Sequence, residues 1–556
     1  MYLLYFPMEL MSILKFVYGT TKCWMRISRS TEIQIRDWCY FAISHLAIIS
    51  FYYMLLLIPI ISISPLCFFI AITLHLAYFV RQHRFYANEY PPGPPPMAIF
   101  GNGVSVNTRA PEKTFLEYRA IYGPVFTLHL SQPTVILADY NTIHEALIHN
   151  GQKTSGRSNS ESFVLFTGDR THGDGVILSS GQKSKNMRQE TQKFLRNWPG
   201  KRLDNLVLHH TASLEAALTK QAESKSLSDI KDPISGAIAN IIQQMTIGRN
   251  YEYQDAEFQT QLSNINSVVK ELMTFGVFFV NSFPISRFLL QWLPSSWKAY
   301  ENSGFKLQQW FRDILNEHKV NRHQDDFMSH MLDLQETRPE EFKDLSIILN
   351  CGDMWTGGME TTTTTLRWGL IYLLQNPEIQ AKCHQEIVSA FGNDAPETSK
   401  MHLTPYVRAT LSEIQRLANV LPWAIPHKSF EDCQIGGYKI PANTEIVPAL
   451  GALLCDPTVF KNPEEFKPER FLDQSGEYSP MEEFRPFGMG PRACLGEKLA
   501  RTELYLIFSS LVQNFRFYLN ESDPKPTTER ATGGITAPPM PYSTRVEYIG
   551  NRHVYY

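Results

Sequence analysis

Residues 487–501 read FGMGPRACLGEKLAR. One cysteine, Cys494, stands among Gly488, Gly490 and Gly496, with Arg492 two residues before it. A thiolate must be stabilised, or it protonates near its free pKa of roughly 8.5. The run behind Cys494 forms a helix starting at or just after it, offering unpaired N–H groups and a positive dipole end. Glycines allow φ > 0 and let backbone approach a flat ligand. Arg492 adds a fixed charge with planar donors. These parts suit a metal-bound thiolate beneath a large planar anion. Two other thiol chemistries compete. A phosphatase-type loop puts arginine six residues after its cysteine, but position 500 is Ala and Arg501 comes one residue late. A protease-type nucleophile needs a histidine nearby, which one sequence neither supplies nor denies. A plain buried cysteine is the commonest fate, yet it leaves Phe487, the glycines and Arg492 without a purpose.

A second constellation is MWTGGMETTTTTLRWGLIYLL, residues 354–374. Five consecutive threonines and a Gly-Gly are poor helix material, but the flanks are apolar enough to be buried. Glu360 beside Thr361 places an acid next to a hydroxyl, a pair able to pass protons from water into a dry cavity. The blander reading is a Thr-rich edge whose hydroxyls bond back to their own turn. A third signal is SEIQR, in which Glu413 and Arg416 lie at i, i+3 on one helix face and can pair. Glu482 and Arg485 repeat that spacing by accident.

The elements that must position these groups are mostly helical. Helical runs cover 201–223, 258–275, 304–319, 345–375, 376–391, 404–418 and 496–514, whereas strand-like runs are few: PVFTLHL, TVILADY and YKIPANTEIVPAL. The expectation is a mainly α fold with a small β region. The 556 residues are 43% hydrophobic, enough for a large core, and the net charge of −3 excludes a general nucleic-acid binder. The eight cysteines are scattered with no C-x-x-C pair, which argues against a disulfide framework or zinc module and for a reducing compartment.

Residues 41–80 contain no Lys, Arg, Asp or Glu. One bilayer crossing takes about 20 apolar residues, so this run predicts a membrane anchor, as one tilted span or a hairpin. A basic cluster, Arg81 to Arg84, and the stiff PPGPPP segment, Pro91 to Pro96, follow it. The expected organisation is an extension over 1–40 with no assigned role, an anchor over 41–80, a basic and proline-rich hinge over 81–96, and one catalytic domain over 97–556. Met54 opens a stretch that alone looks like a complete anchor start.

FGMGPRACLG resembles the haem-binding signature of cytochromes P450, F-G-x-G-x-R-x-C-x-G, at every fixed position. The other landmarks follow in the family's order: a G-G-x-E-T segment at Gly357–Thr361, the E-x-x-R of Glu413 and Arg416, and Arg470 in FKPERF. The resemblance covers about residues 85–550 and is nearest to the animal microsomal clan that oxidises drugs, steroids and fatty acids. It implies the P450 fold, with haem b between a long central helix and the cysteine loop, and Cys494 as axial ligand. It implies that Phe487 and Gly496 shape the sulfur's surroundings and that Arg157, Arg188, His427 and Arg492 hold the haem propionates. It makes Thr361 and Glu360 the proton relay, Glu413–Arg416–Arg470 a structural network, and Phe163, Gly357, Trp423, Ala424, Ile425 and Ile535 the substrate pocket. Ser184 stands where the family usually has Trp in W-x-x-x-R; one ring donor to a propionate is lost, and weaker haem retention is expected.

The implied activity is insertion of one atom of O2 into a lipophilic substrate, with NADPH electrons delivered by NADPH–cytochrome P450 reductase and cytochrome b5. Lys183, Lys185, Arg188, Lys193 and Arg196, with Lys498 and Arg501, would form the docking face for an acidic donor. The apolar run 275–297 resembles access-channel helices that dip into a membrane. The implied location is the endoplasmic reticulum membrane, with the catalytic domain on the cytosolic face. Three alternatives stay open: a P450-fold isomerase or dehydratase, which the Glu360–Thr361 pair disfavours; a haem-binding protein with little activity, which Ser184 favours; and a membrane-anchored thiol hydrolase without haem.

Overall fold

The computed structural model describes Asp37 and residues 89–550, except 98–100, 199, 253, 273, 323–324 and 532–534. The extension, the anchor and the Arg81–Arg84 cluster therefore lie outside the described residues, Asp37 apart. Among the described residues no helix is long and apolar enough to cross a membrane.

Among the described residues helices dominate, as expected, with three small sheets. The central helix, Asp344–Gln375, spans 32 residues and packs along the helix Lys231–Ile247. Gly358 permits that approach: a Cβ there would lie 2.5 Å from Ile242 Cδ1. The Thr run is helical because its flanks are buried, which outweighs weak propensity. Two helix boundaries differ from the sequence reading. The run expected over 258–275 ends at Glu271, and a separate helix begins at Phe275. The run expected over 304–319 begins at Ser296, because Ser295 accepts a hydrogen bond from Lys298 N and caps it.

The largest sheet runs β1 (Val125–His129), β2 (Pro133–Leu137), β7 (Glu445–Pro448), β4 (His427–Lys428), β3 (Gly156–Arg157). Only β2 and β7 pair in parallel. YKIPANTEIVPAL, read as one strand region, serves two sheets: β6 (Tyr438–Ile440) pairs with β5 (Cys433–Ile435), while β7 joins the large sheet. Asn443, with φ +64, turns the chain between them. The sheet matters to the site because it sets Arg157 on β3 directly opposite His427 on β4.

Pro91–Pro96 is extended, as its sequence demands, but it lies along β1 and does not stand free. Thr127 N donates to Pro92 O at 3.0 Å, and Asn102 Nδ2 donates to Pro95 O at 3.0 Å. A Cβ on Gly93 would sit 2.0 Å from Thr127 O, so this docking requires glycine.

Candidate active site

The cysteine loop is a tight turn followed by the helix Glu497–Asn514. Gly488 and Gly490 take φ +71 and +77, a region that side chains disfavour, and a Cβ on Gly490 would strike Leu147 O at 2.1 Å. Gly496 differs: its φ is −86, and it needs no left-handed freedom. Its N–H instead hydrogen-bonds the Cys494 thiol. Cys494 N donates to Phe487 O at 3.0 Å, closing the turn, and the Phe487 ring lies 4.9 Å from the Arg501 guanidinium. Burial pushes the Cys494 thiol up, while the Gly496 N–H and Arg188 pull it down. Burial wins, so the sulfur stays protonated until a positive partner claims it. Its side chain is open to the interior of a cavity and enclosed by protein beyond it, which reconciles surface exposure with deep burial.

That cavity lies between the central helix and the cysteine loop. The central helix presents Asp353, Gly357, Thr361 and Thr365 to it, four residues spaced one turn apart on one face. A Cβ on Gly357 would meet nothing within 4 Å, so the helix leaves open space there. Ala424, Ile425 and Phe487 also line it. Trp423 does not: it packs edge-on against Phe115, ring centroids 4.9 Å apart, in the core beside the sheet. Ile535 packs on the main core, and Phe163 lies on the short helix Glu161–Thr167 outside the cavity lining.

Arg157, Arg188, His427 and Arg492 converge on one end of the cavity. Arg157 spends its donors on carbonyls: Ile177 O at 3.1 Å, Ile425 O at 2.8 Å and Pro426 O at 3.1 Å. Arg188 donates to Ala493 O, and Arg492 donates to Ser184 Oγ and Ile177 O. Among the described residues no carboxylate forms an ion pair with any of the three. Burial is the first cause that lowers their pKa values, pushing Arg492 down to about 9, and Arg157 and Arg492 are lowered further by cationic neighbours. Burial and the same cations hold His427 well below its ordinary value. Its Nδ1 donates to Thr154 O at 2.9 Å, so the neutral ring turns Nε2 the other way. Buried cations without an anion are strongly disfavoured, and Arg492 Nε has no partner at all. A planar dianion whose acid groups reach this end would satisfy the cluster, and haem has that form. The residues present therefore fit haem: Cys494 would hold the metal, and the arginines and His427 would hold its propionates.

The relay pair divides. Thr361 faces the cavity, its hydroxyl donating to Gly357 O at 2.8 Å. Glu360 faces away, accepting from Thr364 at 3.2 Å and Thr536 at 3.5 Å. Burial raises its pKa. Two other acids, not singled out from sequence, do line the cavity. Asp353 accepts from Ile177 N at 2.8 Å, and burial pushes it up to about 7. Glu503 accepts from Thr362 at 3.1 Å, its second oxygen has no partner, and burial pushes it up to about 8. The signal for Glu503 was a lone acid inside the apolar run LYLIF and its neighbours; the signal for Asp353 was its turn-by-turn spacing to Gly357 and Thr361.

Glu503 makes a pH prediction. Its folded value lies above its ordinary 4.5, so the folded state holds an extra proton between 4.5 and about 8. Its contribution is therefore favourable at low pH and declines as pH rises through that window. Each unit is worth about 1.4 kcal/mol. Glu503→Gln keeps an acceptor for Thr362 and removes the charge. We expect its thermal midpoint to exceed that of the unsubstituted protein by a few degrees at pH 8.5 and the gap to shrink at pH 6. A gap independent of pH would mean that Glu503 is not neutral when folded.

The Glu413 network is complete. Arg416 Nε and Nη2 donate to the two Glu413 oxygens at 2.7 and 2.9 Å, and Arg470 Nε donates at 2.9 Å. Lys467 N adds a fourth bond at 2.9 Å. Glu413 and Arg416 are fully buried. The accidental pair Glu482–Arg485 is exposed and 4.0 Å apart.

Comparison with known proteins agrees with this geometry. The family profile described as Cytochrome P450 matches residues 91–546. A "3-ketosteroid oxygenase" of Caenorhabditis elegans is 63% identical, over 98% of this chain and 96% of its own length. With 98% of the chain aligned, most of the 1–40 extension has a counterpart in that relative. Cytochrome P450 2C2 of Oryctolagus cuniculus is 32% identical over 77% of this chain and 88% of its own. Cytochrome P450 2A6 of Homo sapiens is 30% identical over 82% and 92%. Taken with the cysteine loop and the anion-seeking arginine cluster, these matches show that the chain belongs to the cytochrome P450 family of haem monooxygenases.

Proposed function

We propose that this monooxygenase oxidises a steroid bearing a 3-keto group. The observation that carries the reading is the 63% identity, over nearly the whole of both chains, to a protein named for that chemistry. The cavity supports it: Val176, Ile177, Met354, Ala424 and Ile425 offer an apolar wall suited to a rigid hydrocarbon skeleton. When bound, haem supplies the activation of O2, using electrons from a redox partner. The chain's own residues orient substrate, exclude water and move protons. Gly357 leaves open space in the cavity that would take the haem, and Thr361 lines the same cavity. A proton from Glu360 reaches the cavity only by rotation of that side chain or through water, because its carboxyl faces Thr364 and Thr536.

The donor in this reading is NADPH–cytochrome P450 reductase, with cytochrome b5 as a second source, both meeting the basic cysteine side. The reading also places the chain in the endoplasmic reticulum membrane, with residues 41–80 as anchor and the catalytic domain in the cytosol. An exposed apolar prominence supports a second membrane contact: Ile285, Leu289 and Trp292 are 80%, 70% and 81% exposed. Such patches are uncommon on surfaces that meet only water.

The test is a ligand screen on the haem-loaded protein. 3-Ketosteroids are expected to shift the Soret band as substrate displaces water from the haem, at micromolar concentration. A response only to fatty acids or drug-like amines would overturn the steroid reading. Thr361→Ala is expected to keep haem and the ligand shift while product formation falls about 10²-fold and electrons appear as peroxide, since general acid–base steps are worth about 10²–10⁴-fold. Unchanged product per NADPH would remove Thr361 from proton delivery.

A further inference from the structure

We propose that Glu503 is a proton donor for the oxygenation, delivering into the cavity from the helix behind Cys494, away from the arginine cluster. The proposal rests on the monooxygenase reaction and not on the choice of substrate, so it is separate from the steroid reading. Placing one atom of O2 in a substrate RH and reducing the other to water takes up protons: RH + O2 + 2 e− + 2 H+ → ROH + H2O. The sequence offered Glu360 for that supply, but its carboxyl faces Thr364 and Thr536. Among the described residues, the acids lining the cavity are Asp353 and Glu503. Burial raises Asp353, but the backbone N–H groups of Ile177 and Val176 and the charge of Arg492 pull it back. Glu503 has another setting. It is fully buried, its Oε2 accepts from the Thr362 hydroxyl at 3.1 Å, and its Oε1 has no partner.

Thr362 directs the acid. Thr361 and Thr365 line the same cavity but donate back into their own helix at 2.8 Å each, whereas Thr362 reaches across to Glu503. With Oε2 accepting, Oε1 carries the proton. The helix Glu497–Asn514 packs against the central helix, the helices Gly200–Ser224, Pro377–Phe391 and Pro405–Ala418, the turn Thr398–Leu403 and the strand Phe515–Tyr518. Among the described residues, no ionisable group of these elements or of the arginine cluster moves the Glu503 carboxyl: burial pushes it up to about 8, and the Thr362 hydroxyl pulls the other way. At neutral pH it is therefore an uncharged acid poised near the working pH, where a general acid is most effective. Gln415 and Asn419 also line the cavity, and Asn419 Nδ2 is buried without a partner. Such polar groups can hold the water through which a proton travels. Glu503 gives its Oε1 proton to that water and takes one back from water before the next turnover.

The experiment compares Glu503→Gln, which keeps an acceptor for Thr362, with the unsubstituted full-length protein, both loaded with haem. The first readout is the infrared carbonyl band of neutral carboxylic acids at pH 7, which is expected to lose intensity in the variant. An unchanged band means that Glu503 holds no proton and overturns the proposal. The second readout is NADPH-driven oxygen uptake with reductase, counting the share of O2 that leaves as peroxide and the share that becomes water or product. At pH 7 the water and product share is expected to fall about tenfold in the variant, less than the 10²–10⁴-fold worth of a sole general acid, because Thr361 still delivers. In the unsubstituted protein that share is expected to decline as pH rises through about 8, where Glu503 gives up its proton. The variant should lack this decline, so the two proteins converge at pH 9. If the variant loads less haem, Glu503→Asp decides, since it restores an acid and should recover part of the decline. The same pH profile in Glu503→Gln and the unsubstituted protein, or a deficit that is equal at every pH in both variants, makes Glu503 a structural acid and overturns the proposal.

Discussion

Cys494→Ser is expected to abolish the red-shifted Soret band that the reduced, carbon monoxide-treated protein shows when a thiolate holds haem iron, and with it all turnover. The argument runs through the loop. Two left-handed glycines, the Cys494 N–H to Phe487 O bond and the Gly496 N–H aim a single sulfur into the cavity. No other cysteine among the described residues lines that cavity. A serine hydroxyl occupies the same place without thiolate charge, so the metal loses its anionic ligand and the propionate contacts alone must retain the haem. Folding should survive, because the substitution removes no packing and the loop's own hydrogen bonds remain. A variant that kept both the band and the activity would show that another residue holds the iron.

Glu413→Ala should fail at an earlier stage, yielding little folded, haem-loaded protein. Glu413 accepts four hydrogen bonds with no exposure to solvent. Its removal leaves Arg416 and Arg470 facing each other without their anion. Breaking a buried pair by deleting one partner costs about 3–5 kcal/mol, a large part of the roughly 5–15 kcal/mol that holds a typical domain together. Glu413→Gln keeps one acceptor and should be less severe. Soret absorbance per protein and urea unfolding read the effect. Normal haem loading and an unchanged midpoint in the Ala variant would demote the network to an ornament of the helix.

Much of this was legible in the order of residues because the relevant physics is local. A cysteine between glycines just before a helix, an acid and an arginine at i, i+3, and a proline run that cannot be helical each depend on residues close in the chain. Those patterns determined the cysteine loop, the Glu413–Arg416 pair, the mainly helical class and the extended Pro91–Pro96 segment. The family signature extended the reading to Arg157, Arg188 and His427, whose gathering no local rule would have predicted.

What only the tertiary structure decided is how distant elements are rotated against each other. Burial of the central helix against Lys231–Ile247 turns Thr361 and Asp353 to the cavity and Glu360 away from it, although Glu360 and Thr361 are neighbours. The same packing brings Thr362 to Glu503, an acid that the sequence reading passed over. Trp423, apolar and in a suggestive position, went to the core because Phe115 offered its ring a partner. The basic helix looked uniformly charged in sequence, yet Asp174 and Glu190 neutralise two of its lysines. Chain spacing specifies which residues share a helix face; only the packing of whole faces, driven by apolar burial, specifies what each face meets.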